Sequence, residues 1–225
     1  MNPVCVSTWH GDGAKHFAAF MATARRNGIE PQNADPSKWE GTDWTNIPWH
    51  KKPEAYLRFV NENYDKHTHF LFVDSYDILF AAGWDEIMEK FSQFPRPMVF
   101  GSECYPWPKV EQAELYPRVS HRCKYLNAGF WIATAEYAKI TLESLNNNRK
   151  EGQCDQGALV DFYLANRHLA DLDIACKLFF CCNMNSLDFL GLKDGRPTCK
   201  DTGEKPCLFH GNGASPLHVV AGMLT

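Results

Sequence analysis

Short apolar runs of strand length alternate with segments of helical periodicity along most of this chain. The clearest run, His69–Val73, ends at Asp74-Ser75-Tyr76-Asp77, which is typical of a buried parallel strand with acidic residues at its carboxyl end. Such alternation predicts an α/β fold with a mainly parallel, helix-covered central sheet, and sheets of this kind bind ligands beyond the carboxyl ends of their strands. No linker-like stretch divides the pattern, so we expect residues 1–225 to form a single domain.

The same periodicities give bounds for the individual elements. The predicted strands are Pro3–Thr8, His69–Val73, Met98–Ser102, Tyr125–Thr134, Ala175–Cys181 and Cys207–His210. The predicted helices are Ala14–Asn27, Glu54–Tyr64, Trp84–Phe94, Ala135–Leu145 and Gln156–His168. Residues 30–50 are rich in proline and tryptophan and predict a loop, and Gly11-Asp12-Gly13 predicts a turn.

The composition is that of an ordinary globular protein, with 44% hydrophobic and 22% charged residues. Lys and Arg number 23 against 27 Asp and Glu, and the net charge of −4 argues against a generally basic nucleic-acid-binding protein. Without a signal-peptide pattern or a long apolar run, we expect a cytoplasmic or otherwise intracellular protein with no membrane partner. The nine cysteines include no Cys-x-x-Cys pair, which favours buried, reduced thiols over a zinc or redox site.

Acidic and imidazole groups at the ends of two predicted strands are candidates for a metal site. Asp74 and Asp77 can converge on one hard cation such as Mg²⁺ or Mn²⁺, although aspartates also follow strands as turn-forming residues. His210 leaves a strand into Gly211-Asn212-Gly213, where its ring can bind a metal and the glycines let the backbone approach a phosphate. The alternative for this segment is a plain surface turn with an incidental histidine.

Two further residues admit both a structural and a chemical interpretation. Asp155, at the start of a predicted helix, is either the helix cap or a carboxylate that faces a substrate hydroxyl. Trp107, inside Tyr105-Pro106-Trp107-Pro108, is either a packing residue or a platform for a sugar ring.

Four separated motifs together are more specific than any of these segments alone. They are Phe72-Val73-Asp74-Ser75-Tyr76-Asp77, Tyr125-Leu126-Asn127-Ala128-Gly129-Phe130, Asp155-Gln156 and His210-Gly211-Asn212-Gly213. In order and spacing they resemble the glycosyltransferase domain of the procollagen lysyl hydroxylase and collagen hydroxylysine glycosyltransferase family. The resemblance runs from about Trp39 to Asn212, and the predicted strand Pro3–Thr8 is compatible with it.

The resemblance implies a GT-A type nucleotide-sugar-binding fold that binds UDP-glucose or UDP-galactose through Mn²⁺, with Mg²⁺ as the alternative ion. It implies metal ligation by Asp74, Asp77 and His210. The residues that it places at the nucleotide are Trp39, Lys51, Asp74, Tyr76, Gly211 and Asn212. The residues that it places at the transferred sugar and the acceptor, in the catalytic role, are Trp107, Asn127 and Asp155.

The chain departs from the family pattern at two positions, and the acceptor stays open. Cys154 stands where the family has a further acidic residue, and Phe130 follows a single glycine where the family has two. Residues 1–225 include no hydroxylase domain. Three functions compete: hexose transfer to hydroxylysine in a collagen-like protein, the same donor chemistry on a hydroxymethylated pyrimidine in DNA, and a non-catalytic sugar-nucleotide-binding module. A hydroxylated protein is favoured over nucleic acid, because only His121-Arg122-Cys123-Lys124 and Arg149-Lys150 offer basic clusters for DNA.

Overall fold

The computed structural model describes residues 2–9, 17–34, 51–148, 150, 152–183, 186–213 and 215–224. The strands are β1 (Asn2–Ser7), β2 (Gln32–Asn33), β3 (His67–Val73), β4 (Ile78–Phe80), β5 (Met98–Glu103), β6 (Tyr125–Thr134), β7 (Ala170–Leu172), β8 (Phe179–Cys181), β9 (Leu190–Lys193), β10 (Arg196–Cys199) and β11 (Leu208–His210). The α-helices are α1 (Phe17–Arg26), α2 (Lys52–Asn63), α3 (Trp84–Phe91), α4 (Ala135–Asn148), α5 (Asp155–Ala165) and α6 (Leu217–Met223). Among the described residues, no helix combines the length and the apolar character needed to cross a membrane.

The central sheet has six strands in the order β2-β1-β3-β6-β5-β7. β1 runs parallel to β2 and β3, and β5 runs parallel to β7, whereas β6 lies antiparallel between β3 and β5. The expected α/β fold with a mainly parallel sheet is therefore confirmed, with β6 reversed. The reversal brings the first residues of β6 to the carboxyl ends of β3 and β5, which is the edge where such sheets bind ligands.

Apolar side chains cover both faces of the central sheet. Phe70 and Phe72 of β3 belong to the core layer that also contains residues of α2, α4 and α5. Leu71 and Val73 belong to the opposite layer, together with residues of α1 and α3. Because successive strand residues alternate between faces, a strand that is covered on both sides has no polar position, which explains the uninterrupted apolar run.

A second sheet, in the order β4-β11-β8, packs on the side of the central sheet that carries α1 and α3. Two backbone hydrogen bonds join the two sheets to the segment after β3. The Gly211 N–H donates to the Asp77 carbonyl over 2.7 Å, and the Asp74 N–H donates to the Gly129 carbonyl over 2.8 Å. These bonds therefore bring together the ends of β3 and β11 and the first half of β6.

The predicted elements are largely confirmed, with ends that differ by a few residues. β6 keeps the predicted bounds Tyr125–Thr134, whereas the helix expected over Gln156–His168 is observed as Asp155–Ala165. β4 and β7 were not expected; each has three residues, too few to display an alternation of apolar and polar positions.

The strand expected over Ala175–Cys181 is wrong in its first half, because β8 begins only at Phe179. The buried carboxylate of Asp173 accepts hydrogen bonds from the backbone N–H groups of Lys177, Leu178 and Phe179 over 2.9, 2.7 and 2.8 Å. These bonds hold the chain before β8 in a turn. Burial raises the pKa of Asp173 to about 6, although the three backbone donors oppose the rise.

Several expectations lie outside the described residues. They are the Gly11-Asp12-Gly13 turn, residues 14–16 of the first predicted helix, and residues 35–50 of the predicted loop, which include Trp39. The described part of that loop contains β2, which pairs in parallel with β1.

Replacing Asp173 by alanine is expected to lower the free energy of unfolding by about 3 kcal/mol, because three backbone N–H groups lose their acceptor. The matched control is Asp171→Ala, which removes a more exposed carboxylate that accepts one bond from the Arg96 N–H over 3.1 Å. Its effect should stay within about 1 kcal/mol. Urea denaturation measures both changes, and equal losses in the two variants would contradict the proposed role of Asp173.

Candidate active site

A cavity of about 450 Å³ opens at the carboxyl ends of β3 and β5. Its volume lies in the range of pockets that hold small ligands, roughly 300 to 1,000 Å³. The described residues that line it are Lys52, Asp74, Asp77, Glu103, Tyr105, Trp107, Asn127, Ala128, Gly129, Cys154, Asp155, Gln156, Asn183, His210, Asn212 and Gly213. Each of the four sequence motifs therefore contributes at least one residue to this cavity.

Three of these side chains form a cluster that can hold a metal ion. One ligand atom from each of Asp74, Asp77 and His210 lies within 4.8 Å of the others. The His210 Nε2 is 3.2 Å from Asp77 Oδ2 and 3.4 Å from Asp74 Oδ2. Carboxylate oxygens suit Mn²⁺ or Mg²⁺, and an imidazole nitrogen is a ligand of transition-metal ions, so the donor set fits the expected Mn²⁺.

The orientation of the Asn127 amide determines which nitrogen of His210 faces the carboxylates. The Asn127 Oδ1 accepts a hydrogen bond from the Gly129 N–H over 3.0 Å, and its Nδ2 donates to Glu103 over 3.0 Å, so oxygen and nitrogen are assigned. The same Oδ1 lies 2.8 Å from His210 Nδ1, which must therefore carry a proton and donate it. In the neutral ring, the lone pair of Nε2 then faces Asp74 and Asp77.

The charged groups of this cluster shift one another's pKa values. Burial disfavours the imidazolium form of His210, but the carboxylates of Asp77 and Asp74 outweigh this and raise its pKa well above the usual value. Burial likewise disfavours the ionised form of Asp74, and the ammonium group of Lys52 outweighs that effect and lowers the pKa of Asp74 to about 2. The Asp74 carboxylate thus stays charged throughout the neutral range.

Gly129 is required by the position of the His210 ring. A Cβ atom at residue 129 would lie 2.0 Å from His210 Cε1, which is far inside van der Waals contact. The neighbouring Phe130, which follows a single glycine where the family pattern has two, is accommodated by Gly101 of β5. A Cβ at residue 101 would lie 1.9 Å from the Phe130 ring, so the absence of a side chain there makes room for it.

Sequence reasoning missed Glu103, the last residue of β5, whose buried carboxylate lies at the centre of the site. Its Oε1 accepts hydrogen bonds from Asn127 Nδ2 over 3.0 Å and Gln156 Nε2 over 2.6 Å. Its Oε2 accepts from Asn183 Nδ2 over 2.8 Å and Asn212 Nδ2 over 3.0 Å. Burial raises the pKa of Glu103, and the amide donors oppose the rise. The available signal was its place directly after the predicted strand Met98–Ser102, since Asp74 likewise follows a predicted strand.

Lys52, rather than the predicted Lys51, lines the cavity. Its Nζ donates to Asp74 Oδ1 and lies 3.0 Å from Asp155 Oδ2, so one ammonium group joins β3 to the start of α5. Burial opposes its charge, but the two carboxylates raise the pKa of Lys52 well above the usual value. The adjacent lysines could not be told apart in the sequence because both precede Pro53, the sequence signal for the start of the helix.

The interpretation of Asp155 as a helix cap is wrong. Cys154 occupies the N-cap position of α5, and its Sγ accepts a hydrogen bond from the Gly157 N–H over 3.4 Å. Asp155 is the first helical residue, and its carboxylate is therefore available to pair with Lys52 at the cavity.

Aromatic side chains form the exposed rim of the cavity. Trp107 and Tyr105 line it and are 51% and 41% exposed, so the interpretation of Trp107 as a purely internal packing residue is wrong. The Trp107 carbonyl accepts a hydrogen bond from Gln156 Nε2 over 2.7 Å, which ties the rim to α5.

Some of the predicted nucleotide-binding residues are not among the described residues that line this cavity. Tyr76 packs with its ring centroid 5.9 Å from that of Phe17, and Gly211 bonds to Asp77 through its backbone. Together with Lys51, they are not in the described lining of the cavity. Trp39 lies outside the described residues. Their nucleotide-binding roles stay predictions.

Comparison with known proteins places this site in a family. A family model described as the PLOD GT domain matches residues 2–221. Human procollagen-lysine,2-oxoglutarate 5-dioxygenase 2 is 27% identical over 225 residues, which cover 95% of this chain and 30% of the human protein. The Caenorhabditis elegans multifunctional procollagen lysine hydroxylase and glycosyltransferase is 28% identical over 229 residues, which cover 96% of this chain and 31% of the relative. The chain thus spans about 30% of the length of these relatives.

A solved structure supports the fold independently. It is described as a glycosyltransferase involved in the glycosylation of the major capsid of PBCV-1, and it matches with a TM-score of 0.55 at 10% identity. The match covers 99% of this chain and 98% of that chain. The predicted GT-A type fold is therefore confirmed. The family resemblance expected from the four motifs is confirmed as well. Since the family model matches nearly the whole sequence, this chain belongs to the PLOD GT domain family of glycosyltransferases.

Proposed function

We propose that this chain is a metal-dependent glycosyltransferase that moves a hexose from UDP-glucose or UDP-galactose to the hydroxyl group of an acceptor. The observation that carries the proposal is the convergence of Asp74, Asp77 and His210 in the cavity of a PLOD GT domain. We further propose that residues 1–225 act as one domain in this reaction.

The charge of the cavity supports the requirement for a cation. Among the described residues that line it, four carboxylates face one ammonium group and one imidazole; the carboxylates belong to Asp74, Asp77, Glu103 and Asp155. A diphosphate would be repelled by this arrangement unless a divalent ion compensated the charge. Mn²⁺, or Mg²⁺, held by Asp74, Asp77 and His210 would stabilise the negative charge that develops on the UDP leaving group.

Lys52 and Asp155 are proposed to act on the acceptor side of the same site. The Lys52 ammonium holds the carboxylates of Asp74 and Asp155 in fixed positions, since it contacts both. Asp155 would contact the acceptor hydroxyl or the transferred sugar, either as a base or as an orienting group. Asn127 would act through His210, whose ring it orients.

The rim favours a sugar or a protein over a nucleic acid. Trp107 and Tyr105 offer exposed aromatic faces of the kind on which sugar rings and apolar side chains pack. The basic cluster considered for DNA is partly neutralised, because the Arg122 guanidinium pairs with Asp201 over 3.0 Å. The names of the relatives include procollagen lysine hydroxylation, so hydroxylysine in a collagen-like protein is the proposed acceptor.

A UDP-release assay tests the proposed donor and acceptor together. With Mn²⁺ present, UDP-glucose or UDP-galactose should give UDP release that a hydroxylysine-containing collagen-like peptide stimulates, and the peptide mass should increase by one hexose. The matched control peptide carries lysine in place of hydroxylysine and should give no stimulation. If only hydroxymethylated DNA stimulated UDP release, the acceptor would be a nucleic acid and not a protein. Binding of UDP-sugars without any release would favour a non-catalytic module.

Asp77→Asn is expected to abolish Mn²⁺-dependent UDP release, because the amide removes one anionic ligand from the cluster. The matched control is Asp85→Asn, which changes an exposed carboxylate in the first turn of α3 and should leave the activity unchanged. Mn²⁺ titration by calorimetry should show the loss of binding directly. Normal Mn²⁺ affinity and full activity in Asp77→Asn would refute the assignment of the metal ligands.

Glu103→Gln is expected to weaken Mn²⁺ binding by about 10- to 100-fold, which is typical when a partner of a metal ligand is changed. The NH₂ group of the new glutamine would face amide N–H donors that now donate to the Glu103 carboxylate. Asn127 would then lose the contact that holds it in the orientation that fixes the His210 ring. Calorimetry and the Mn²⁺ dependence of UDP release measure the effect, with Glu111→Gln on the exposed surface as the control. An unchanged Mn²⁺ affinity with reduced stability would assign Glu103 a purely structural role.

A further inference from the structure

The segment that carries the aromatic rim is attached to the first turn of α5. The Trp107 carbonyl accepts a hydrogen bond from Gln156 Nε2 over 2.7 Å. Pro108 packs on the next residue of the helix, since a Cβ atom at Gly157 would lie only 3.3 Å from Pro108 Cγ. Because α5 begins with Asp155, the rim and this cavity carboxylate are held by the same turn of helix.

A third attachment lies one turn further along α5, at Asp161. The Lys109 ammonium donates to both oxygens of the Asp161 carboxylate, over 2.5 and 2.6 Å. Gln112 Nε2 donates to the same carboxylate over 3.2 Å, and Gln153 Nε2 donates to it over 2.8 Å. One side chain of α5 therefore joins the rim segment to the residues that precede the helix.

Asp161 is not among the described residues that line the cavity, so it can act there only through the residues that it holds. Its main partner, Lys109, stands two residues after Trp107, whose half-exposed ring lines the cavity. We propose that Asp161 is a positioning residue for the transferase reaction, which holds Lys109 and thereby places Trp107 against the acceptor. This inference rests on the proposed function, in which the aromatic rim meets the acceptor.

The ion pair between Lys109 and Asp161 fixes a position more than it stabilises the fold. Both side chains are partly exposed, and ion pairs of this kind contribute little to the free energy of unfolding. Burial raises the pKa of Asp161, but the hydrogen bonds from Lys109 and Gln153 outweigh this effect and lower the pKa below its usual value. The carboxylate is therefore charged at neutral pH. Without it, the part of the segment after Pro108 would lose its ionic attachment to α5.

Asp161→Asn is expected to raise the KM for a hydroxylysine-containing collagen-like peptide about 10-fold, since a 1 Å displacement of a positioned group can cost up to about 100-fold. The kcat, the KM for the UDP-sugar and the Mn²⁺ affinity should stay unchanged, because Asp161 lies outside the cluster of Asp74, Asp77 and His210. Steady-state UDP release with either substrate varied measures the two KM values, and calorimetry measures Mn²⁺ binding.

A double-mutant cycle tests whether Asp161 acts through Lys109. Lys109→Met should raise the KM for the acceptor to the same extent, and the double variant should raise it no further, because either change removes the same pair. Asp161→Glu keeps the charge and should recover part of the loss. The matched control is Asp194→Asn, which breaks a lysine–aspartate pair with Lys205 at 3.0 Å and should leave both KM values unchanged.

Limited digestion with trypsin reports on the rim without requiring activity. Cleavage of the Lys109–Val110 bond should be several-fold faster in Asp161→Asn than in the wild-type chain, because the released segment opens more often. An unchanged cleavage rate, additive effects of the two single changes, or equal increases in the KM for acceptor and UDP-sugar would each overturn the proposal. An inactive wild-type chain would instead refute the proposed function, and the cleavage rate would still decide whether Asp161 holds the rim.

Discussion

Burying the Glu103 carboxylate beside the cavity requires a donor for each of its oxygens, and four side-chain amides supply them. An unpaired buried carboxylate would be strongly unfavourable, so the amides are fixed in one orientation. One of them, Asn127, transmits that orientation to His210 through its Oδ1. The direction in which His210 Nε2 faces Asp74 and Asp77 thus depends on a carboxylate that is not itself part of the candidate metal site.

Lys52 has a complementary role on the opposite side of Asp74. Carboxylates that meet at one cavity edge repel one another, and a single buried ammonium group between Asp74 and Asp155 offsets part of that repulsion. The remaining excess of negative charge lies where Asp77 and His210 face Asp74. This excess of negative charge supports the proposal that the site holds a divalent cation and, through it, a diphosphate.

The sequence could identify Asp74, Asp77 and His210 because each stands at or just after the end of an apolar strand, and strand ends converge in an α/β sheet. It could not identify Lys52 as distinct from Lys51, since that choice depends on the rotation of α2 about its axis. Glu103 stands in the same relation to β5 as Asp74 to β3, but its importance comes from amides on four separate segments, and such long-range contacts leave no local pattern. The turn before β8 was missed for the same reason, because one buried carboxylate, Asp173, overrides an apolar run that otherwise predicts a strand.

The two departures from the family pattern have local physical explanations that leave the site intact. Phe130 fills space that Gly101 provides across the β5–β6 ladder, and it stacks on Phe179 with ring centroids 4.5 Å apart, so Gly129 can still admit the His210 ring. Cys154 caps α5, which leaves the neighbouring Asp155 carboxylate to pair with Lys52 at the cavity. Both substitutions are compensated by a neighbour in direct contact, and neither removes a ligand atom from the cluster of Asp74, Asp77 and His210. The differences from the family therefore bear on the start of α5 and the packing behind the site, while the groups proposed to bind the donor are retained.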